Sequence, residues 1–140
     1  MRVLLDANAL LAVLVGEPAM ERVLSLIRRG NTAMTGANIA EVFDVGVRRK
    51  GLSPVRMTEL IGPLFDGSIT CVPVDRLLAG PAGLLRGSRY HRSTSRISLA
   101  DAVLLAAARP GDRIATSDSG VLAVAVELDI ETIELPPSSG

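Results

Sequence analysis

Four acidic residues adjoin strongly apolar segments of the sequence: Asp6, Glu41, Asp101 and Asp118. Asp101, for example, lies between Leu99 and Val103 in a stretch that has almost no other polar group. A buried charge is costly without a partner, and carboxylates gathered without a counter-ion repel one another and take up protons. A shared cation would keep all of them ionised, so we expect a metal site built from carboxylates.

The residue types also indicate which metal such a site would hold. The chain has one histidine, His91, and one cysteine, Cys71, at unrelated positions. A zinc site with nitrogen and sulfur ligands is therefore disfavoured. Clustered carboxylate oxygens suit Mg²⁺ or Mn²⁺, which keep several waters and complete their coordination with substrate phosphates. Sites of this kind activate a bound water for in-line attack on a phosphodiester.

Each acid also has a simpler structural interpretation. Asp6 and Asp118 both precede predicted helices, where a short side-chain oxygen commonly caps the first amide groups. Asp101 closes a Ser-Leu-Ala-Asp segment with the spacing of a capping box. Glu41 fits a solvated helix face equally well, and Asp44 is its neighbour on the same helix surface. Spacing alone leaves the choice between Glu41 and Asp44 open.

Strand-like and helix-like segments that could position these acids alternate along the chain. Apolar runs predict strands over residues 2–5, 32–35, 69–74, 113–116 and 131–135. Helices are predicted over 9–15, 19–29, 37–50, 53–65, 98–109 and 120–128, with a weaker one over 75–85 broken by Gly80, Pro81 and Gly83. This alternation predicts a mostly parallel sheet with helices on both faces. Ligands of such sheets collect at the carboxyl ends of strands, where Asp6 and Asp118 stand.

Composition limits the class and compartment of the protein. The formal net charge is zero and the chain has two Phe, one Tyr and no Trp, which argues against a generic polyanion binder and against aromatic stacking platforms. Cys71 lies in an apolar run, which predicts an inert buried thiol in a reducing compartment. Apolar residues 3–15 are interrupted by Asp6 and Asn8 and precede no cleavage site, so no export signal is predicted. We expect a cytoplasmic protein with no membrane partner, forming one domain over 1–135 and a frayed tail over 136–140.

Four short segments resemble the PIN-domain ribonucleases, and in particular the VapC-type toxins of bacterial toxin–antitoxin pairs. The segments are residues 4–10 (LLDANAL), 38–42 (NIAEV), 98–102 (SLADA) and 115–118 (ATSD). They occur in the family's order over nearly the whole chain, together with a Gly-Glu-Pro turn at 16–18 and a final strand that leads to Leu135 and Pro136. No single motif identifies the family, but all of these motifs together are specific for it.

This resemblance implies a fold, an activity and partners. The fold would be a three-layer α/β/α sandwich around a mostly parallel five-stranded sheet. The activity would be that of an endoribonuclease whose Mg²⁺ or Mn²⁺ is bound by Asp6, Glu41, Asp101 and Asp118, with Asn8 and Thr116 supporting the acids or the bound water. The partners would be RNA, a cognate antitoxin that blocks the site, and a second copy of the chain. Many relatives carry a further acid where this chain has Ser119 and Gly120, which leaves the presence of a second metal ion open.

Two surfaces are candidates for these contacts. The arginines Arg86, Arg89, Arg92 and Arg96 lead into the helix that carries Asp101 and could contact RNA phosphates, although a solvated basic loop explains them equally well. Residues 10–15 and 53–65 are rich in apolar side chains, which predicts that part of their surface meets the antitoxin or the second copy.

Three other functions compete with the nuclease interpretation. A phosphoacceptor receiver needs a lysine at a strand end, but Lys50, the only lysine, follows a predicted helix. A dehalogenase-like phosphatase needs a second aspartate two residues after Asp6, where Asn8 stands. A catalytically silent PIN-like module that binds RNA or a partner remains the alternative, because all the acids can be present in a closed site.

Overall fold

The computed structural model describes residues 1–89 and 97–138, which form a five-stranded sheet between two layers of helices. The strands are β1 (Val3–Leu5), β2 (Thr32–Thr35), β3 (Ile69–Val72), β4 (Arg113–Thr116) and β5 (Glu131–Glu134). The helices are α1 (Ala7–Val15), α2 (Met20–Arg29), α3 (Gly36–Arg48), α4 (Pro54–Gly67), α5 (Arg76–Arg89), α6 (Leu99–Ala107) and α7 (Ser119–Glu127). Every neighbouring pair of strands is parallel. The predicted α/β/α architecture is confirmed, and the sheet is parallel throughout.

The strand order β3-β2-β1-β4-β5 places the first strand in the middle of the sheet. The chain moves outward from β1 to β2 and β3, crosses to the other side of β1, and continues from β4 to β5. The order therefore reverses between β1 and β4, where Leu5 pairs with Ala115. The carboxyl ends of strands beside such a reversal form the crevice in which α/β sheets bind ligands.

Two apolar cores, one on each face of the sheet, explain why the strands are so apolar. Val3 and Leu5 belong to the core that contains α1 to α4, whereas Leu4 belongs to the core that contains α6 and α7. Alternate residues of a strand point to opposite faces, so a strand buried on both sides must be apolar throughout. The sheet is thereby fixed from both sides, and its carboxyl ends are held in one position.

Helices α3 and α4 approach each other closely at a glycine. Gly46 of α3 is buried, and a Cβ atom at this position would lie 2.6 Å from the Sδ atom of Met57 in α4. Met57 is itself fully buried. Ser53 caps α4 by accepting a hydrogen bond from the Arg56 N–H, and Pro54 takes the first helical position.

Helix α5 is continuous, so the prediction of a segment broken by its glycines and proline is wrong. Leu78, Ala82 and Leu85 form an apolar stripe at helical spacing that packs against the core of α6 and α7. Burial of this stripe outweighs the hydrogen bond that Pro81 cannot donate inside the helix. The helix also extends to Arg89, which places Arg86 and Arg89 on a helix rather than in a loop.

Three further features concern the surface. The prediction of a buried thiol is wrong, because Cys71 lies exposed on β3, which is an edge strand of the sheet.

Ser138 donates a hydrogen bond to Glu17, so the described part of the predicted frayed tail contacts the domain, while residues 139–140 lie outside the described part. None of the described helices combines the length and hydropathy that a bilayer span requires.

Candidate functional site

The structure brings the predicted acids to one end of the sheet. Asp6 directly follows β1, and Asp118 follows β4 by two residues, on the two sides of the strand-order reversal. Glu41 lies in α3, the helix that follows β2, and Asp101 lies in the first turn of α6. We call Asp6, Glu41, Asp101 and Asp118 the acid cluster.

Asp6 is the most buried member of the acid cluster, with an exposed fraction of 4%. Its Oδ1 atom caps α1 by accepting a hydrogen bond of 2.8 Å from the Ala9 N–H. Its Oδ2 atom accepts a hydrogen bond from the hydroxyl of Thr116, the last residue of β4. The carboxylate is therefore held from both sides and has little freedom to rotate.

Thr116 connects two members of the acid cluster. While its hydroxyl donates to Asp6, the same Oγ1 atom accepts a hydrogen bond of 3.0 Å from the Asp118 N–H. Thr116 is fully buried, so this connection is shielded from water. The supporting role that the resemblance implies for Thr116 now has a geometric basis.

Asp101 and Asp118 each use one carboxylate oxygen to accept backbone hydrogen bonds at the start of a helix. The Oδ2 atom of Asp101 accepts from the Ser98 N–H while the Ser98 hydroxyl accepts from the Asp101 N–H, so the predicted capping box is present. The Oδ1 atom of Asp118 accepts from the N–H groups of Gly120 and Val121 at 2.8 and 3.0 Å. Within residues 1–89 and 97–138, no hydrogen-bond donor reaches the second oxygen of either aspartate, which leaves both oxygens available to a ligand.

The structure distinguishes Glu41 from Asp44, which the sequence could not. Asp44 is exposed and forms an ion pair of 2.9 Å with Arg48 one turn along α3. Glu41 is half-buried, and its Oε1 atom accepts a hydrogen bond of 3.3 Å from the side-chain amide of Asn38. Glu41 is also close enough to Asp101 and Asp118 to be repelled by both. The carboxylate that faces the other acids is therefore Glu41.

Burial and mutual repulsion raise the pKa values of three members of the acid cluster. The pKa of Asp6 is raised to about 6, mainly by burial, which outweighs the hydrogen bonds from Thr116 and Ala9, and in smaller part by the charges of Asp101 and Asp118. Burial and then Asp101 raise the pKa of Glu41. Burial raises the pKa of Asp101 against its bonds with Ser98, and Asp118 adds to the rise. Such a site gains free energy when a cation neutralises it.

The donor set of the acid cluster fits Mg²⁺ or Mn²⁺ and does not fit zinc. Among the described residues, no three His, Cys, Asp or Glu side chains already form a group that could hold a metal ion. Mg²⁺ does not require such a group, because it keeps several waters and is commonly bound through one or two carboxylates together with substrate phosphates. The unused oxygens of Asp101 and Asp118 and the raised pKa values are consistent with that mode of binding.

Of the remaining predicted residues, the structure describes Asn8, Arg86 and Arg89. Asn8 is exposed in the first turn of α1 and lines a small cavity of about 30 Å³ with Ser117. Arg86 donates a hydrogen bond to the Ile97 carbonyl, and Arg89 forms an ion pair with Glu127 of α7. Arg92, Arg96 and His91 lie outside the described residues. Contact of the arginines with RNA stays a prediction, although Arg86 and Arg89 already have partners within the chain.

The sequence reasoning missed Thr35 and Asn38. Both are fully buried polar residues, and Thr35 caps α3 by accepting the Asn38 N–H. The spacing Thr35, Asn38 and Glu41 follows one face of a helix, and this polar face beside an apolar strand was the available signal.

Comparison with known proteins supports the resemblance inferred from the sequence. The profile of the PIN domain family matches residues 3–127. A search of curated protein sequences finds no match.

Three solved structures that match the chain cover nearly all of it. One is described as FitAB bound to an IR36 DNA fragment, with 25% identity, a TM-score of 0.65 and 94% of each chain covered. The second is FitAcB from Neisseria gonorrhoeae, with 24% identity, a TM-score of 0.65 and coverage of 94% of this chain and 96% of that one. The third is DNA-bound VapBC from Salmonella typhimurium, with 14% identity, a TM-score of 0.66 and coverage of 96% and 98%. From the profile match and this common fold, we conclude that the chain belongs to the PIN domain family.

Proposed function

We propose that this chain is the toxin of a toxin–antitoxin pair and acts as a Mg²⁺- or Mn²⁺-dependent endoribonuclease that hydrolyses RNA phosphodiester bonds. PIN domains are generally nucleases, and the solved structures similar to this chain include complexes described as FitAB and VapBC. The observation that carries the proposal is the acid cluster, whose carboxylates repel one another at the strand-order reversal.

The chain's own groups would bind and orient the substrate around a metal ion. When bound, the metal lowers the pKa of a coordinated water and offsets charge on the phosphate. The bonds from Ala9 and Thr116 keep the Asp6 carboxylate in one orientation, and the unused oxygens of Asp101 and Asp118 would be available to hold the metal ion. The N-termini of α1, α6 and α7 begin at or beside these acids, and their amide groups favour an anionic phosphate.

Cleavage of RNA by matched variants tests the proposal. Wild-type protein should cut total RNA with Mg²⁺ or Mn²⁺ and stop when EDTA is added. Asp6→Asn and Glu41→Gln keep the side-chain size and should lower the cleavage rate by about 100-fold or more, by analogy with the loss of other charge-stabilising groups in active sites. Asp44→Asn is the control for Glu41→Gln, because it removes a carboxylate from the same helix but one that pairs with Arg48.

The outcomes separate the proposal from its alternative. Equal cutting by wild type and Asp6→Asn would show that a contaminating nuclease is responsible. Binding of RNA without cutting in any divalent metal would favour a catalytically silent PIN-like module instead.

We also propose an antitoxin partner and a homodimer, with contacts on α4 and α5. Leu10 and Leu11 lie in the core, so they do not offer the partner surface that the sequence predicted there. Val55 of α4 is 68% exposed, and Leu77 and Leu84 of α5 are 78% and 76% exposed. Exposed apolar residues of this size commonly mark contact surfaces. Sedimentation of the purified chain tests the dimer, and a monomer at high concentration would contradict it.

A further inference from the structure

Asn38 is a fully buried polar residue of α3 that uses both ends of its side-chain amide. Its Oδ1 atom accepts a hydrogen bond of 2.8 Å from the Thr35 hydroxyl. Its Nδ2 group donates a hydrogen bond of 3.3 Å to the Oε1 atom of Glu41. Thr35 in turn accepts a hydrogen bond of 3.2 Å from the Asn38 backbone N–H, which fixes its position at the start of the helix.

The chemistry of the three groups determines which way the amide points. An ionised carboxylate can only accept hydrogen bonds, so the amide oxygen of Asn38 cannot face Glu41 without repulsion. The Thr35 hydroxyl has one hydrogen to donate, and the amide oxygen is the acceptor that it reaches. Only one orientation of Asn38 satisfies both neighbours, and in it the N–H group faces Glu41.

Glu41 depends more than the other acids on a side-chain hydrogen-bond donor to fix the orientation of its carboxylate. Asp6, Asp101 and Asp118 are each held by backbone N–H groups at a helix start, whereas Glu41 lies inside a helix where no backbone N–H is free. Its side chain is longer than that of an aspartate and is repelled by Asp101 and Asp118. Without a donor on the cluster side, the carboxylate would turn toward solvent.

We propose that Asn38, fixed by Thr35, is a positioning residue that holds the Glu41 carboxylate toward the metal site. The inference deepens the proposed function, because it takes Glu41 to be a ligand of the metal. Groups that orient a ligand in this way commonly change metal affinity by about 10- to 100-fold when they are removed. Asn38 acts through Glu41 and does not itself touch the metal or the RNA.

Binding of Mn²⁺ to the purified full chain, followed by electron paramagnetic resonance without RNA, tests this inference. Asn38→Ala should weaken Mn²⁺ binding by about tenfold. In a Glu41→Ala background, the same Asn38→Ala change should cause no further loss, because the group through which it acts is gone. A tenfold loss that persists in the Glu41→Ala background would overturn the inference, and so would unchanged binding by Asn38→Ala.

A second set of variants covers the case in which Asn38→Ala does not fold. Thr35→Val is nearly isosteric and removes the hydroxyl, so it should weaken Mn²⁺ binding, and Thr35→Ser restores the hydroxyl and should restore the affinity. Ser53→Ala is the control, because it removes the corresponding cap of α4 away from the acid cluster and should leave Mn²⁺ binding unchanged. Equal affinities of Thr35→Val and Thr35→Ser would overturn the inference.

Metal binding and RNA cleavage separate this inference from the proposed function. Wild-type protein that binds Mn²⁺ and shows the expected Asn38 dependence but cuts no RNA would contradict the proposed function and leave the inference standing. Wild-type protein that cuts RNA with Mn²⁺ but whose Mn²⁺ affinity does not depend on Asn38 would support the proposed function and overturn the inference. Absence of Mn²⁺ binding by the wild type would overturn both.

Discussion

Asp6 illustrates how a single residue can serve the fold and the site at once. Its carboxylate caps α1 and accepts the Thr116 hydroxyl, yet burial raises its pKa to about 6. An ionised Asp6 therefore destabilises the metal-free fold, while an ionised Asp6 is what a metal ion requires. Stability without metal and affinity for metal should respond to pH in opposite ways.

This conflict predicts how stability depends on pH in the absence of metal. The pKa of Asp6 in the fold lies above its unfolded value of about 4, so its favourable contribution is complete below about pH 4 and is lost as pH rises through about 6. The difference between these pKa values corresponds to at most about 3 kcal/mol. Wild type in EDTA should therefore lose unfolding free energy relative to Asp6→Asn between pH 4 and pH 7 in urea titrations.

Asp66→Asn, which changes an exposed acid at the end of α4, is the control and should follow the wild-type curve. Wild-type and Asp6→Asn curves that stay parallel over this pH range would contradict the prediction.

Whether a site residue could be predicted from the sequence depended on its position in the chain. Asp6 directly follows an apolar strand and Asp118 follows one by two residues, so their location at the carboxyl ends could be read from the sequence. The choice between Glu41 and Asp44 could not, because the two are neighbours on one helix surface and only the packing of α3 decides which of them meets the other acids. Asn38 was missed for a related reason, since the polar spacing of Thr35, Asn38 and Glu41 is visible in the sequence but the buried hydrogen bond from Asn38 to Glu41 is not.

At the scale of elements, a glycine of α3 and a glycine of α5 show that the same substitution can have opposite effects. Gly46 meets Met57, which is fully buried, whereas Gly83 of α5 has nothing within 4 Å of the position that a Cβ atom would take. Both lie inside helices, where alanine is intrinsically favoured over glycine by about 1 kcal/mol. Only packing distinguishes them.

We therefore expect opposite signs for two identical substitutions. Gly46→Ala should destabilise the protein by about 1 to 2 kcal/mol, because overpacking a filled site costs more than the helix preference returns. Gly83→Ala should stabilise it by about 0.5 to 1 kcal/mol. Chemical denaturation of both variants measures the difference, and stabilisation by Gly46→Ala would show that Met57 moves aside freely.

Helix α5 marks the limit of local patterns as a guide to elements. Gly80, Pro81 and Gly83 predicted a break, but Ala82 is buried and Leu78 and Leu85 pack against the core on the other face of the sheet. The energy that holds this helix together comes from residues far away in the chain, so no window along the sequence contains it. Most other elements were predicted because their caps and apolar periodicity agree with their packing.

At the scale of the whole molecule, the two ends of the sheet have separate roles. The acid cluster lies at the carboxyl ends of the strands, and an ion pair between Arg2 and Asp112 lies at the amino ends of β1 and β4. Arg2 donates to Asp112 at 2.7 Å and to the Ala107 carbonyl at 3.2 Å, and Asp112 also accepts the Arg109 N–H. Burial acts to raise the pKa of Asp112, but the bonds and charges of Arg2 and Arg109 outweigh it and lower the pKa.

Removal of this ion pair should affect stability without affecting the site. Asp112→Ala leaves Arg2 without its partner in a mostly buried position and should cost about 2 to 4 kcal/mol at pH 7. Because the pKa of Asp112 is lowered, its contribution is present above about pH 4 and is lost as pH falls below that value. Mn²⁺ affinity should be unchanged.

Asp44→Ala, which breaks an exposed ion pair, is the control and should change stability much less than Asp112→Ala does. A loss of Mn²⁺ affinity in a folded Asp112→Ala protein would show that the two ends of the sheet are coupled.

The architecture as a whole was predictable to the level of its layers, and the strand order was not. Alternating strands and helices indicate a parallel sheet, but the return from β3 across β2 and β1 to the other side of the sheet depends on long-range packing. That return is what brings Asp118 beside Asp6. Convergence of the acids could be inferred from their chemistry and from the family resemblance, and not from the alternation alone.

Because Asp6 and Asp118 are candidate catalytic residues that also cap helices, the choice of substitution decides whether an inactive variant keeps its fold. Asparagine is as good a helix cap as aspartate, whereas alanine is not. Exchange of aspartate for asparagine at Asp6 or Asp118 would thus leave a folded protein still able to bind the proposed antitoxin, while alanine would also loosen α1 or α7. Among inactive variants at these two positions, those with asparagine should therefore unfold at higher denaturant concentration than those with alanine.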